Sequence, residues 1–259
     1  MISQNKRKTI RALEQKKRRD TEGLFVAEGR KTVGDLLRGG LTATYIAATE
    51  ERMAELGHET AGTETVVTEA DEIAEVSQLK TRSEIIAIFR NPQYHAEEPA
   101  YGALTLALDG IQDPGNLGTI IRTADWFGVT DIVCSAQCAD AFGPKAVQAT
   151  MGALARVRVA YTDLGRWLAA NRDRGDKGCE VFGTYLEGKN IYEESLPAGG
   201  IILMGNEGHG IDPKLSGYVT RKLYIPSFPA GRPTSESLNV GTATAITLSE
   251  FRRAATRKR

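Results

Sequence analysis

The chain of 259 residues and 28.1 kDa is long enough for one large domain or two smaller ones with a substantial core. With 41% hydrophobic residues, 25% charged residues and three cysteines, the composition excludes a disordered chain, a collagen-like chain and a disulfide scaffold. No apolar run reaches the roughly 18 residues of a membrane helix, and no signal-peptide core follows Met1, so a cytoplasmic protein is expected.

The charges sum to zero but are segregated along the chain. Residues 1–40 contain 11 Lys/Arg against 5 Asp/Glu, whereas residues 41–100 contain 4 against 12. The last eight residues, Arg252–Arg259, contain five basic residues and no acidic residue. Two basic ends indicate either contact with nucleic acid or solvated helix faces.

The first ninety residues alternate helical and extended patterns. Ile10 and Leu13 place an apolar stripe on a basic helix from Lys6 to Arg19, and Gly39 and Gly40 end a second helix. The predicted strands are Leu24–Ala27, Tyr45–Ala48, Val66–Val67 and Ile85–Phe89. These elements predict a small N-terminal α/β sandwich.

A third predicted helix of this region begins after Val67. Thr68 is the expected N-cap, with Asp71 at the capping-box position. The apolar residues on one face of this helix are Ile73, Val76 and Leu79.

A polar, non-periodic segment with two prolines follows and contains the predicted linker, residues 96–102. The linker separates an expected domain at residues 1–95 from a second one at residues 103–259. The predicted strands of the second domain are Leu104–Asp109, Asp131–Cys134, Arg156–Ala160, Val181–Thr184, Ile201–Met204 and Lys222–Ile225. Such apolar runs are typical of an α/β domain whose parallel sheet is covered by helices on both faces.

The first unusual segment, residues 109–124, passes from a strand end through a Pro-Gly turn into a helix. It is neither a dinucleotide-binding fingerprint nor a P-loop, because its glycines have the wrong spacing and no Gly-Lys-Ser/Thr follows. Asn116 falls near the helix start and Arg122 on the second turn. Taken alone, the segment is also consistent with Asn116 as a helix cap and Arg122 as a surface charge.

The second unusual segment, residues 201–213, is an apolar strand that breaks into a loop. The loop contains three glycines, Gly205, Gly208 and Gly210. Glycines at this density allow the backbone to approach a ligand closely. Glu207 lies among them, and Asp212 and Pro213 are expected to open a short helix as its cap and first residue. His209 is interpreted as an incidental loop residue rather than a base.

The third unusual segment, residues 225–246, is a loop rich in proline and glycine that leads into a helix beginning near Ser237. Small residues from Gly241 to Ala245 allow this helix to lie close to another element. Taken alone, Ser237 is equally an ordinary N-cap. All three segments follow predicted strands, the position at which open α/β sheets bind ligands.

The cysteines do not form a metal-binding pattern. Cys134 and Cys138 are spaced C-x3-C without a second pair, Cys179 stands apart, and no histidine lies in an H-E-x-x-H motif. Buried or idle thiols, and no metal, are expected.

Together the three segments resemble the three motifs of the SpoU/TrmH family of RNA ribose 2′-O-methyltransferases, in the SPOUT superfamily. The matching stretches are N-L-G-x3-R at Asn116–Arg122, N-E-G-x-G at Asn206–Gly210 and S-L-N-V at Ser237–Val240. The resemblance covers about residues 104–251. Two residues depart from it, Asn206 where Ser is frequent and Gly241 where Ser or Ala is common. Lys16–Gly29 also resembles the RNA substrate-binding domain, similar to a ribosomal-protein fold, that many members carry.

The resemblance implies a parallel sheet whose C-terminal region is threaded as a deep trefoil knot, and a homodimer whose active site spans the interface. It also implies S-adenosylmethionine as the cofactor, held in a bent shape by the knot loops. The implied cofactor-binding residues are Met204, Gly205, Asn206, Gly208, Ile225, Ser227, Phe228, Ser237, Leu238 and Val240. Among them, Leu238 is expected near the adenine.

The resemblance further implies roles in methyl transfer. Arg122 is expected to activate the ribose 2′-hydroxyl. The residues that orient the arginine, the ribose and the phosphate are expected to be Asn116, Glu207, Ser237 and Asn239. Because a guanidinium is not deprotonated in proteins, Arg122 is expected to stabilise the developing alkoxide and to anchor the adjacent phosphate. No metal is required.

RNA is the expected partner, with phosphate contacts from Lys6–Arg19 and Arg252–Arg259. Large-subunit (23S) ribosomal RNA is the favoured substrate, because the extra N-terminal domain is common among family members that act there. Methylation of transfer RNA is the alternative within the class. A non-catalytic RNA-binding or ribosome-assembly factor is the alternative outside it, and the intact motif residues argue against that reading.

Overall fold

The computed structural model describes residues 1–79, 82–172, 178–229 and 235–257, and the chain divides into two compact units. The first unit comprises Met1–Gln93 together with Asp140–Arg156. The second comprises Tyr94–Ala139 together with the chain from Val157 onward. Within the described residues, no helix is both long enough and apolar enough to cross a membrane.

The elements follow the chain in two groups. Up to residue 93 they are α1 (Gln4–Ala12), α2 (Lys16–Glu22), β1 (Leu24–Glu28), α3 (Arg30–Arg38), β2 (Ala43–Ala48), α4 (Glu50–Leu56), β3 (Glu64–Val67), α5 (Ala70–Ala74) and β4 (Ile85–Arg90). Beyond it they are β5 (Leu104–Leu108), α6 (Pro114–Trp126), β6 (Asp131–Ser135), α7 (Pro144–Thr150), β7 (Arg158–Thr162), α8 (Leu164–Arg172), β8 (Val181–Asn190), β9 (Gly200–Met204), α9 (Pro213–Ser216), β10 (Arg221–Tyr224) and α10 (Val240–Arg257). Short 3₁₀ helices occupy Gly57–Thr60 and Ala153–Ala155.

The first unit contains a four-stranded mixed sheet in the order β1-β4-β2-β3. β4 pairs antiparallel with β1 and β2, and β2 pairs parallel with β3. The core residues that pack on this sheet include Ile10, Leu13, Val26, Tyr45 and Ile88. The four strands predicted for this region are confirmed, each within a few residues of its expected bounds.

Two helix predictions in the first unit are wrong. The basic stretch Lys6–Arg19 is not one helix, because Leu13 turns into the core and Gln15 has extended backbone angles, which separates α1 from α2. Thr68 does not cap α5, which begins after Glu69 without a side-chain cap. The Thr68 hydroxyl instead donates to the Glu72 carboxylate.

Residues Asp140–Arg156 complete the first unit, although they are distant from it in sequence. The Phe142 ring lies 5.0 Å from the Phe25 ring. Arg19, only 4% exposed, donates to Asp140 Oδ2 at 2.9 and 2.7 Å, and to the carbonyl oxygens of Leu13 and Glu14 at 2.7 Å each. This segment therefore belongs to the core of the first unit, although it lies within residues 103–259, the expected bounds of the second domain.

The second unit contains a six-stranded sheet in the order β10-β8-β9-β5-β6-β7, and every pairing between neighbouring strands is parallel. Leu164 and Leu215, from α8 and α9, pack against Ile201 of β9. Successive residues of a strand point to opposite faces, so Phe182 of β8, which pairs with Ile202, lies on the other face of the sheet. There its ring packs edge-on against the ring of Phe251 in α10, with 4.9 Å between the ring centroids. The predicted parallel sheet with helices on both faces is confirmed.

Candidate active site

The three motif segments converge at one edge of the sheet in the second unit. The first follows β5, the second follows β9, and the third runs from the end of β10 to the start of α10. Because the strands are parallel, their carboxyl ends share one edge, which is where ligands bind in open α/β sheets.

Asn116 connects all three segments through its side-chain amide. Its Nδ2 donates to the Glu207 carboxylate, and its Oδ1 accepts from Asn239 Nδ2 at 2.9 Å. Asp113 is the residue that caps α6, since its Oδ1 accepts from the Asn116 backbone N–H at 2.7 Å. The reading of Asn116 as an ordinary helix cap is therefore wrong, and its side chain is left to hold the other two loops.

Asn206 organises the second loop. Its Nδ2 donates to the Gly110 carbonyl at 2.6 Å, and its Oδ1 accepts from the backbone N–H groups of Gly208 at 2.8 Å and His209 at 3.3 Å. Backbone bonds of 2.8 Å in both directions join Asn206 and Gly210. A serine hydroxyl is too short to span the same groups, so the departure from the family pattern has a structural role here.

The glycines of this loop serve two purposes. A Cβ on Gly205 would collide with the backbone of Gly210, so the loop closes only with glycine at that position. At Gly210, which has φ of +69°, a Cβ would meet nothing within 4 Å, and at Gly208 it would meet only Asn206 Oδ1, at 3.4 Å. The outer backbone of the loop is thus open to close approach by a ligand, as a glycine-lined cofactor site requires.

The third segment presents exposed apolar side chains. Phe228 is 97% exposed and Leu238 is 46% exposed, whereas Val240 is buried. Asn239 caps α10, since its Oδ1 accepts from the backbone of Gly241 at 3.0 Å and Thr242 at 3.2 Å. The helix therefore begins at Val240, three residues after Ser237, and the reading of Ser237 as its N-cap is wrong. The preceding residues 230–234 lie outside the described part of the chain.

Arg122 is exposed and lies in the third turn of α6 rather than the second, because the helix already begins at Pro114. Among the described residues, none forms a hydrogen bond or ion pair with the Arg122 guanidinium or with the Ser237 hydroxyl. Hydrogen bonds thus connect the side chains of Asn116, Glu207 and Asn239. Arg122 and Ser237, which belong to the same motif segments, remain exposed to solvent.

The remaining predicted cofactor residues lie at strand ends and in the loops. Met204 ends β9 and is buried, and its carbonyl accepts from the Asp109 backbone N–H at 2.9 Å. Ile225 follows β10 and is half-buried, whereas Ser227 is exposed. Of these three residues, only Ser227 has an exposed side chain.

Close packing of α6 and α10 positions the first and third segments. A Cβ on Gly241 would lie 3.1 Å from the Thr119 methyl group, which leaves little room for the Ser or Ala common at this position. Arg252 donates to the carbonyls of Phe127 at 2.7 Å and Gly128 at 3.0 Å, and burial lowers its pKa. This arginine of the predicted basic tail therefore stabilises the end of α6 instead of remaining available to RNA.

Sequence reasoning missed the support that the end of β6 gives to the first loop. Ser135 Oγ accepts from the Gly110 N–H at 3.0 Å, and Cys138 Sγ accepts from the Ile111 N–H at 3.3 Å. A hydrogen bond from the Cys134 thiol, together with these backbone donors, lowers the pKa of Cys138 to about 7 although burial opposes this. The C-x3-C spacing was the available signal: both thiols are buried as expected, and Cys138 also holds the first loop.

Comparisons with known proteins match both parts of the chain. The SpoU rRNA Methylase family matches residues 103–249, and the MRM3-like substrate binding domain matches residues 4–87. A 23S rRNA (guanosine(2553)-2′-O)-methyltransferase of Bacillus subtilis is 31% identical over 95% of both chains.

Two solved structures are similar over nearly the whole chain. A TrmH-family RNA methyltransferase from Porphyromonas gingivalis, described as putative, has a TM-score of 0.84 at 37% identity, covering 98% of this chain and 99% of its own. An AdoMet-bound rRNA methyltransferase from Sinorhizobium meliloti has a TM-score of 0.85 at 31% identity, covering 98% and 97%.

The parallel sheet, its three loops and these matches define an S-adenosylmethionine-dependent methyltransferase with a separate substrate-binding domain. The chain belongs to the SpoU rRNA Methylase family.

Proposed function

We propose that this protein transfers a methyl group from S-adenosylmethionine to a ribose 2′-hydroxyl of RNA, with large-subunit ribosomal RNA as the substrate. The observation that carries the proposal is the chain of hydrogen bonds through Glu207, Asn116 and Asn239. If Asn116 were only a helix cap, its side chain would not need hydrogen-bond partners from the second and third segments. The name of the Bacillus subtilis relative supports ribosomal over transfer RNA.

The loops fit the cofactor that the family uses. S-adenosylmethionine supplies an electrophilic methyl group when it is bound. Open backbone at Gly208 and Gly210 suits polar parts of this cofactor, and the exposed side chains of Phe228 and Leu238 suit its adenine. Each of these contacts uses backbone or apolar groups, and we propose that no metal takes part.

Arg122 is proposed to act on the ribose. Its guanidinium remains protonated, so it stabilises negative charge on the 2′-oxygen and holds the neighbouring phosphate instead of removing the proton. Asn116, Glu207 and Asn239 hold the loop geometry around it, and the exposed Ser237 hydroxyl is available to a phosphate oxygen. The absence of a described partner for Arg122 supports a role toward a ligand.

The N-terminal region is proposed to bind RNA, with functional bounds at residues 1–95, a linker at 96–102 and catalysis at 103–259. The two family matches, at residues 4–87 and 103–249, support this division. Of the basic residues in this region, Lys8, Lys17 and Arg18 are exposed. They are the expected phosphate contacts, because several of their neighbours are already paired with carboxylates.

A homodimer and a knotted C-terminal region are proposed on the same family grounds. Trp126 is 84% exposed and lies one turn after Arg122 on α6, so a large apolar side chain shares a helix face with the proposed catalytic arginine. A second copy covering Trp126 would also shield Arg122 from water. Light scattering at micromolar protein should then give close to twice 28.1 kDa.

Methylation of defined RNAs tests the proposal. Large-subunit RNA and total transfer RNA from a strain that lacks the gene would be incubated with the protein and radiolabelled S-adenosylmethionine, and ribose methylation mapped by mass spectrometry. We expect transfer to a ribose of large-subunit RNA, with cofactor affinity unchanged by excess chelator. Transfer only to transfer RNA would overturn the substrate, and cofactor binding without transfer to either RNA would indicate a non-catalytic factor.

A further inference from the structure

A cavity of about 490 Å³ opens at the carboxyl edge of the sheet, where β5, β6 and β7 lie side by side. Its volume falls in the range of roughly 300 to 1,000 Å³ that is usual for small-molecule sites. None of the residues proposed to hold S-adenosylmethionine lines it. The cavity nevertheless adjoins the cofactor loop, because its wall residue Asp109 precedes Gly110, whose carbonyl accepts from Asn206.

The charge of the lining disfavours a phosphate group as the ligand. The lining contains three carboxylates, from Asp109, Asp163 and Asp212, against one ammonium group, from Lys214. Within the described residues, no group of three His, Cys, Asp or Glu side chains is arranged to hold a metal ion. A neutral ligand that is rich in hydrogen-bond donors fits this surface, since an ionised carboxylate only accepts hydrogen bonds.

Asp109 is the carboxylate best prepared for such a ligand. It is half-buried at the end of β5, and its Oδ2 accepts from the Asp212 N–H at 2.8 Å, which fixes the side chain. Its Oδ1 has no hydrogen-bond partner among the described residues. By contrast, Arg166 contacts both oxygens of Asp163, through its backbone at 3.1 Å and its guanidinium at 3.4 Å.

The other walls supply a donor and an apolar surface. The Lys214 ammonium and the Gln137 amide are exposed, and neither has a partner within the described part of the chain. Tyr218 is half-buried, and its ring edge approaches Gly165, at the start of α8. Aromatic rings of this kind stack on unstacked RNA bases.

We infer that this cavity binds an unstacked guanine base of the substrate RNA, an inference that rests on the proposed function. Guanine carries two adjacent donors, N1–H and the N2 amino group, which match the two oxygens of one carboxylate, and its O6 accepts from Lys214 or Gln137. Uracil has a single donor on this edge, and adenine has no N1–H. The cavity therefore reads the base while Arg122 acts on a ribose.

Titration of the full-length protein with free nucleosides tests the cavity without requiring methyl transfer. Saturating S-adenosylmethionine would first be added, so that nucleosides do not occupy the adenosine part of the cofactor site. Guanosine, inosine, 1-methylguanosine, adenosine and uridine would then be titrated and followed by calorimetry. Because inosine lacks the N2 amino group and 1-methylguanosine lacks N1–H, each should bind at least about tenfold more weakly than guanosine.

The variant Asp109→Asn should abolish the preference for guanosine, because an amide presents a donor where the base needs an acceptor. Asp131→Asn is the matched control, since it removes the same charge from the other end of a neighbouring strand, where Asp131 pairs with Arg158. It should leave the preference unchanged. Equal binding of all five nucleosides, no binding up to millimolar guanosine, or a preference that survives in Asp109→Asn would each overturn the inference.

Methylation kinetics separate this inference from the proposed function. If both hold, Asp109→Asn should raise the KM for RNA by about tenfold, with cofactor affinity and kcat at saturating RNA nearly unchanged. If wild-type protein binds guanosine selectively but methylates no RNA, the cavity stands and the proposed function fails. If it methylates RNA but the variant has a wild-type KM, the cavity assignment fails alone.

Discussion

Arg19 in the first unit and Arg122 in the second differ in the number of partners that each guanidinium has. Arg19 is buried and donates to two carbonyls and to the Asp140 carboxylate. Arg122 is exposed and has no partner within the described residues. The first arginine therefore stabilises a core, and the second is available to a ligand. Yet only Arg19 lies in a basic stretch for which charge alone predicts contact with RNA.

The same contrast extends to neighbouring charges of the first unit. Arg7 pairs with Glu72 and Glu75, and Lys6 pairs with Glu64 at 2.7 Å. The excess of acidic residues after residue 40 thus neutralises part of the basic start of the chain. Counting all Lys and Arg residues therefore overestimates the number of cations available to RNA phosphates. Counting only those without a carboxylate partner gives a better estimate.

The largest effect is expected from Arg122. Arg122→Ala should leave cofactor affinity nearly intact and reduce methyl transfer by two to three orders of magnitude, because loss of one charge stabiliser costs roughly 3 to 4 kcal/mol. Arg122→Lys should restore little, since lysine lacks the planar fork that can hold ribose and phosphate together. Single-turnover methylation measures both variants, and activity within a few fold of wild type would mean that Arg122 is only a surface charge.

Arg19→Ala should destabilise the first unit by about 3 kcal/mol, because it leaves the Asp140 carboxylate and two carbonyls without their partner. The adjacent, exposed Arg18→Ala should change stability by less than about 0.5 kcal/mol. Hydrogen exchange of β1 and β4 amides reports on the first unit, and tryptophan fluorescence reports on the second. Equal protection of the two variants would contradict the contrast between buried and exposed arginines.

A smaller effect is expected for RNA affinity. Lys17→Ala with Arg18→Ala should lower the salt slope of binding by about 1 to 1.5, since each single-stranded phosphate contact contributes roughly 0.7. The control variant, Lys31→Ala with Arg38→Ala, also removes two positive charges, but both residues already pair with Asp35. It should lower the salt slope by less than half of the decrease expected for Lys17→Ala with Arg18→Ala. Binding isotherms at several salt concentrations measure both, and equal slopes would show that pairing does not decide availability.

The smallest effect concerns Glu28, which is 5% exposed and accepts from Ser77 and from the Gln78 N–H at 2.9 Å. Burial raises the pKa of its carboxyl group. Its contribution to stability is therefore present below about pH 4 and is lost as the pH rises through the raised value. Glu28→Gln should gain stability relative to wild type between pH 4 and pH 7 in chemical denaturation, and the exposed Glu22→Gln should show no such trend.

Strands such as those at Leu104–Leu108 and Ile201–Met204 were predictable because each is a compact apolar run. The break between α1 and α2 was not, because it depends on where Leu13 is buried rather than on local propensity. The motifs and their resemblance indicated that Asn116, Glu207 and Asn239 belong to one site. They did not indicate that Asn239, rather than Ser237, caps α10, since both residue types are common caps.

The first unit is built from two separate stretches of the chain, Met1–Gln93 and Asp140–Arg156, and this affects how the protein folds during synthesis. Phe25 and Arg19 emerge from the ribosome long before Phe142 and Asp140, their partners in the same core. Domains usually fold in the order of synthesis, the N-terminal one first. Here the contacts of Phe25 and Arg19 with this segment form only after the chain has passed Arg156, by which point β5 and β6 are also complete. We expect a nascent chain released at the linker to expose Phe25 and to be prone to association, whereas one extended beyond Arg156 should be protected.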